Sequence, residues 1–199
     1  MNKAVRAAKF TRTTKETDIR IELNLDGTGV YQINTGIGFF DHMLTALARH
    51  SGFDLVVTCA GDLQVDGHHT VEDVGICLGQ ALRQCIGDGA GIARYGDACI
   101  PMDEALVHAV MDISGRGFLA HNLELPQERV GQFDTCLVEE FLRAFAVNAG
   151  LTLHARQLAG TNSHHIIEAL FKALAHALRQ AVMLTDEERV LSTKGKLDL

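Results

Sequence analysis

Apolar residues change their spacing along this chain in a fixed order, and the order occurs twice. In the Thr-rich stretch from Lys3 to Leu25, the residues Ile19, Ile21, Leu23 and Leu25 alternate with polar ones. That period of two is the signature of a strand with one buried face. Asp26-Gly27 and Gly29 supply hairpin-turn chemistry, with Val30 to Ile33 as the returning strand. After Gly36-Ile37-Gly38 the spacing becomes helical, with Phe40, Met43, Leu44, Leu47 and Ala48 three and four residues apart. Ser51-Gly52 reads as its left-handed C-cap. Phe53 to Cys59 is a short apolar strand, and a polar loop from Gly61 to Gly67 delivers a second helix carrying Val71, Val74, Leu78, Ala81, Leu82 and Cys85.

Gly87, Gly89, Gly91 and Gly96 then mark a boundary, dividing the chain into halves 1–90 and 91–199. The second half repeats the plan. A strand from Ala105 to Ile113 leads through the turn Ser114-Gly115-Arg116-Gly117 to a strand from Phe118 to Leu125. A longer loop, Pro126 to Asp134, precedes a helix marked by Val138, Phe141, Leu142, Phe145 and Ala146 and closed at Gly150. Leu151 to Leu158 is a strand, and after Gly160-Thr161-Asn162-Ser163 comes the last long helix, followed by a polar tail from Thr185. The expectation is an α+β fold, an internal duplication of a β-β-α-β-α half, with two sheets flanking a layer of four helices as one compact unit.

Composition narrows the function classes. A formal net charge of -7 argues against a nucleic-acid surface, which needs a basic excess. No signal-peptide pattern or membrane-length apolar run is visible in the sequence. The five cysteines, Cys59, Cys77, Cys85, Cys99 and Cys136, never fall in a C-x-x-C spacing, which fits a reduced cytoplasmic protein.

The candidate chemistry sits where the two long helices begin. His68-His69-Thr70-Val71-Glu72 and His164-His165-Ile166-Ile167-Glu168 each stand 13 residues, counted from the first histidine, before an Ala-Leu-Arg-Gln segment at Ala81 and Ala177. Residues i and i+4 share a helix face, so His68 with Glu72 and His164 with Glu168 can each serve one ion. His69 and His165 point about 100° away, toward a second ion or one shared between halves or chains. Nitrogen and carboxylate donors suit Mn, Fe, Zn or Co. His42, beside Asp41, is a fifth histidine candidate; its counterpart in the other half is Glu140. A lone His-His pair is usually a solvated helix start, but two copies with matched Glu are not expected by chance. His50, His108, His121, His154 and His176 have no such pattern.

A second cluster is cationic. Arg94 and Arg116 lie in glycine-rich turns, where a guanidinium is placed for bidentate phosphate contact or is merely solvated. Ser192-Thr193-Lys194 has the donors of an anion clamp, though alone it reads as a polar tail. Lys172 follows His164-His165 by two turns and could bring charge to the same ligand.

The motifs Gly38-Phe39-Phe40-Asp41-His42-Met43-Leu44, Asp66-Gly67-His68-His69-Thr70-Val71-Glu72-Asp73, Asp112-Ile113-Ser114-Gly115-Arg116 and Asn162-Ser163-His164-His165-Ile166-Ile167-Glu168-Ala169 resemble, in this order, those of imidazoleglycerol-phosphate dehydratases. The resemblance runs from about Lys15 to Lys194. It implies a lyase of histidine biosynthesis that dehydrates imidazole glycerol phosphate to imidazole acetol phosphate. It further implies two Mn(II) ions per active site and a 24-subunit shell with sites between subunits. Carried over, His42, His68, His69, Glu72, His164, His165 and Glu168 are implied metal ligands, with Glu140 where other members have histidine. Glu16 is the implied substrate-contacting glutamate and proton shuttle, with Glu168 and His69 beside it in the catalytic set. Arg94, Arg116, Lys172, Ser192, Thr193 and Lys194 are implied phosphate contacts. Two rival readings are a dinuclear metal-dependent phosphoester hydrolase, whose expected Asp-rich bridging pattern is missing here, and a metal-stapled structural oligomer, which leaves the turn arginines unexplained.

Overall fold

The computed structural model describes residues 5–186, 189–197 and 199; Lys3, where the first predicted strand region begins, lies outside them. The first half runs β1 (Ala7–Thr13), β2 (Thr17–Asn24), β3 (Tyr31–Asn34), α1 (Gly38–Ser51), β4 (Asp54–Gly61) and α2 (His68–Ile86). The second runs β5 (Tyr95–Met102), β6 (Ala105–Ile113), β7 (Phe118–His121), the small β8 (Arg129–Val130) and β9 (Phe133–Asp134), α3 (Leu137–Ala149), β10 (Leu151–Ala159) and α4 (Ser163–Ala181). The sheets have matching orders, β1-β2-β4-β3 and β5-β6-β10-β7, so β5, β6, β7, α3, β10 and α4 repeat β1, β2, β3, α1, β4 and α2.

Two sheets do flank a layer of four helices. Helices α2 and α1 lie on the first sheet, α4 and α3 on the second, and the layers meet where α2 packs on α3 and α1 on α4. Alternate residues of β2 (Ile19, Ile21, Leu23) and β6 (Val107, Ala109, Met111) point into this core, as the period-two reading requires. At its centre Phe141 stacks 5.3 Å from Phe171 and meets Phe40 edge-on at 5.4 Å. The α2–α3 crossing is close because of two glycines. A Cβ on Gly75 would stand 2.9 Å from the Phe141 carbonyl oxygen, and one on Gly79 2.7 Å from that of Phe145.

Each four-stranded sheet has one strand more than the periodicity predicts, and the second half adds the short β8–β9 pair. The stretch ahead of Ile19 holds β1, which turns at Thr14–Glu16 and pairs antiparallel with β2. Residues Asp26 to Gly29 do not form a β2–β3 hairpin. Asp54 Oδ1 accepts hydrogen bonds from the Thr28 and Val30 N–H groups at 2.8 and 3.0 Å, carrying the chain past the end of β4. β3 then pairs parallel with the far side of β4 through the α1 crossover. β5 escapes notice because Gly96 and Pro101 interrupt its pattern, and Pro101 is tolerated because β5 is an edge strand. The strand predicted for Phe118 to Leu125 stops at His121. The tail folds back onto the glycine linker, with bridges Ile92–Leu184 and Ala90–Val190.

Candidate metal centre and anion cleft

Both His-His-x-x-Glu segments start at a helix N-terminus prepared by an Asx residue two positions earlier. Asp66 Oδ1 accepts from the His68 N–H at 2.8 Å, and Asn162 Oδ1 from the His164 N–H at 2.9 Å. On the opposing helix, Asp41 accepts from the N–H and hydroxyl of Thr35 at 2.8 and 2.6 Å, which fixes the start of α1 and with it His42.

From these starts α1 and α4 bring three ligand-type groups together. His42 Nε2 and His164 Nε2 stand 3.3 and 3.2 Å from the same oxygen, Glu168 Oε2. One ligand atom from each of the three lies within 4.8 Å of the others, a set of two imidazole nitrogens and one carboxylate suited to a divalent cation. Phe39 closes one side, its ring 5.0 Å from that of His164. Glu168 is buried, and its other oxygen accepts from Lys172 Nζ at 2.7 Å. Burial opposes ionisation of this carboxyl, but hydrogen bonds from Lys172 and His42 outweigh it and hold the pKa down at about 2.

The corresponding groups of the first half are more open. His68 Nε2 and Glu72 Oε2 are 3.5 Å apart with both side chains 43% exposed. Among the described residues Glu140 joins no ligand cluster. The adjacent histidines diverge as predicted. His69 Nδ1 lies 3.0 Å from Asp62 Oδ2, which raises the His69 pKa, and its Nε2 faces Glu16 Oε1 at 3.8 Å. His165 Nδ1 lies 2.6 Å from Glu104 Oε2, which likewise raises its pKa. Glu104 in turn is held down to about 2 by His165 and by the N–H groups of Asn162 and Thr161.

The cationic residues converge on a separate cleft of about 890 Å³, lined by Arg94, Ser114, Arg116, Ser192, Thr193 and Lys194 among others. Arg94 is less available than its turn position suggests. Its Nε and Nη2 donate to Asp112 at 2.7 and 3.0 Å and its Nη1 to the Leu191 carbonyl at 2.5 Å. It therefore sets the course of the tail before Ser192. Arg116 lines the cleft, and among the described residues its guanidinium is not taken up by a carboxylate as that of Arg94 is. Lys172 stands apart from this cleft, beside Glu168 and 3.6 Å from Met102 Sδ.

The other histidines have structural partners or lie away from both sites: His121 pairs with Glu139, His108 with Asp97, and the His50 and His176 rings lie 5.5 Å apart. Burial raises the Cys77 and Cys85 thiols to about 12 and Cys59 to about 11, while Cys99 and Cys136 are exposed. Among the described residues no helix is long and apolar enough to cross a membrane. Asp41, Asp62 and Glu104 are polar residues of the site that helical spacing did not reveal: Asp41 and Asp62 act across loops on Thr35 and His69, six and seven residues away, and Glu104 reaches His165 through tertiary structure.

The family Imidazoleglycerol-phosphate dehydratase matches residues 35–178. The enzyme of that name from Desulforamulus reducens is 58% identical over 195 residues, covering 96% of this chain and 98% of its own. That from Heliobacterium modesticaldum is also 58% identical, covering 97% of this chain and 100% of its own. The crystal structure of the Staphylococcus aureus dehydratase superposes with a TM-score of 0.82 at 45% identity, over 90% of this chain and 99% of that one. That of the Pyrococcus furiosus protein does so with a TM-score of 0.82 at 41% identity, over 94% and 99%. The chain belongs to the imidazoleglycerol-phosphate dehydratase family.

Proposed function

We propose that the chain dehydrates imidazole glycerol phosphate to imidazole acetol phosphate in cytoplasmic histidine biosynthesis, with two Mn(II) ions per active site and sites completed between chains of a 24-subunit shell. The observation that carries the reading is the His42–His164–Glu168 cluster, with a cationic cleft elsewhere on the chain for a phosphate. The donor set fits Mn(II), with nitrogen and hard oxygen ligands and no thiolate. His42, His164 and Glu168 would hold one ion; His68, Glu72, His69, His165 and Glu140 are the remaining ligands. Their separation within one chain is what a site shared between chains would leave. When bound, the metal supplies Lewis acidity that lowers the pKa of the substrate's ring N–H.

The reaction needs that help because the proton to be lost sits on a hydroxyl-bearing carbon with no neighbouring carbonyl. Loss of the ring proton lets the imidazole push electrons to its adjacent carbon, which expels its hydroxyl. A carboxylate then takes the carbon-bound proton, and the resulting enol tautomerises to the ketone. Glu16, exposed on the β1–β2 turn beside His69, is assigned this proton shuttle. Arg116, Ser192, Thr193 and Lys194 grip the phosphate and fix the orientation of the ring, with Arg94 shaping their cleft and Lys172 adding charge at Glu168. Metal-replete protein given the phosphorylated diol is expected to form the ketone and release no inorganic phosphate. Phosphate release without ketone would establish the hydrolase reading instead. In Glu140→His, metal binding is expected to persist; its complete loss would remove Glu140 from the ligand set.

A further inference from the structure

The second histidine of each copy already has its Nδ1 engaged, and by a carboxylate that the rest of the fold holds still. Asp62 receives His69, and its own N–H donates to the Glu16 carbonyl at 3.1 Å, joining the β4–α2 loop to the β1–β2 turn. Glu104 receives His165 through Oε2, while its Oε1 accepts from the Thr161 and Asn162 N–H groups at 3.1 and 2.9 Å. The β5–β6 turn is thereby tied to the N-terminus of α4. An ionised carboxylate only accepts hydrogen bonds, so the ring nitrogen facing it carries the hydrogen. In a neutral imidazole this leaves Nε2 as the bare lone pair. On both rings that nitrogen lies on the open side, 3.8 Å from Glu16 in one copy and 3.7 Å from Asp103 in the other.

We propose that Asp62 and Glu104 are positioning residues, each fixing the ring and the tautomer of its histidine so that Nε2 is ready for a divalent cation. The inference rests on the reading of His69 and His165 as ligands. The two anchors come from different places in the duplicated plan. Asp62 lies on the loop that leads into the histidine's own helix, whereas Glu104 lies on a hairpin turn of the neighbouring sheet. The same ring geometry is thus reached twice by different residues, the result expected if the geometry matters more than its source.

Glu104→Gln separates positioning from simple structural support. The amide oxygen can still accept from Thr161 and Asn162, but the amide nitrogen then faces His165 Nδ1 and favours the opposite tautomer. In the full assembled protein, titration calorimetry should show Mn(II) affinity falling about 10–100-fold, while the metal-free protein stays folded and assembled with its Tm lowered only by loss of the Glu104–His165 pair. The imidazole nitrogen modulation in the electron spin echo of bound Mn(II) should weaken as well. Asp62→Asn should do the same through His69, and it serves as the test should Glu104→Gln fail to assemble. His165→Ala and His69→Ala are the reference variants. If they keep wild-type Mn(II) affinity, the ligand reading fails. If they lose affinity while Glu104→Gln and Asp62→Asn retain it together with the spin-echo modulation, the positioning inference is overturned.

Discussion

The two His-His-x-x-Glu segments are nearly identical in sequence and unlike in their surroundings. The one on α4 faces α1, where His42 and a buried Glu168 complete a three-group cluster and Lys172 adds a cation. The one on α2 faces α3, where Glu140 stays apart and the His68–Glu72 pair is open to solvent. The helix contacts differ in the same way. Gly75 and Gly79 let α2 press against the α3 backbone, while the equivalent places on α4 hold Phe171 and Ala175. The two helix starts thus offer equal donor chemistry, and the difference between His42 and Glu140 on the opposing helices accompanies a cluster at only one of them within a single chain.

The largest effects should come from the carboxylates themselves. Glu168→Gln is expected to lower both dehydration rate and Mn(II) affinity by at least about 100-fold. Glu72→Gln should match it if the open copy is also a metal site, and a Glu72→Gln enzyme of wild-type rate would break the equivalence of the copies. Next in size is the anion cleft. Arg116→Ala should raise KM for the phosphorylated substrate by about 2 kcal/mol, or roughly 30-fold, with kcat little changed. Arg94→Ala should also lower Tm, because Asp112 and the Leu191 carbonyl lose their donor. Equal Tm values for the two variants would contradict the structural role given to Arg94.

Periodicity made the four helices and the β2, β4, β6 and β10 strands legible because each buries one regular apolar face. It did not reveal β1 or β5, edge strands whose residues are mostly exposed or half-exposed and whose inward positions include Arg12 and Gly96 beside apolar residues. It misplaced β3 because Asp26-Gly27 looks the same in a hairpin and in a crossover; the deciding group is Asp54, distant in sequence. The candidate ligands on the two long helices were visible through their i, i+4 repeat, and the candidate anion contacts through glycine-rich turns and the Ser-Thr-Lys run; the family resemblance added Glu16. Asp62 and Glu104 carried no local signal, since an anchoring carboxylate is defined by the ring it reaches. Nothing in the spacing around Arg94 could show that Asp112 already occupies it.

Two smaller effects sharpen the comparison. In metal-free protein, His69 and His165 have pKa values raised above the ordinary 6.5 by Asp62 and Glu104. Their pairing stabilises the fold fully below that value and ceases to do so as pH rises through the raised one. Glu104 and Glu168, held down to about 2 against an ordinary 4.5, contribute above 4.5 and lose that contribution as pH falls toward 2. Calorimetry of chelator-treated protein should therefore find its highest Tm between these limits; a Tm that climbs steadily through the histidine range would contradict the assignment. Smallest is the helix contact, where Gly79→Ala should cost about 1–3 kcal/mol. Ala175→Gly at the equivalent place on α4 should cost about 1 kcal/mol through helix propensity, with the loss of a buried methyl added to it.

Both copies are proposed to hold metal, although only one forms a cluster within the chain. Metal analysis of the assembled, Mn(II)-saturated protein after removal of free ion tests this most directly. Two Mn(II) ions per active site, with one active site for each chain, is the predicted result. One ion per chain would confine the metal to His42, His164 and Glu168 and return His68-His69 and Glu72 to the status of a solvated helix start.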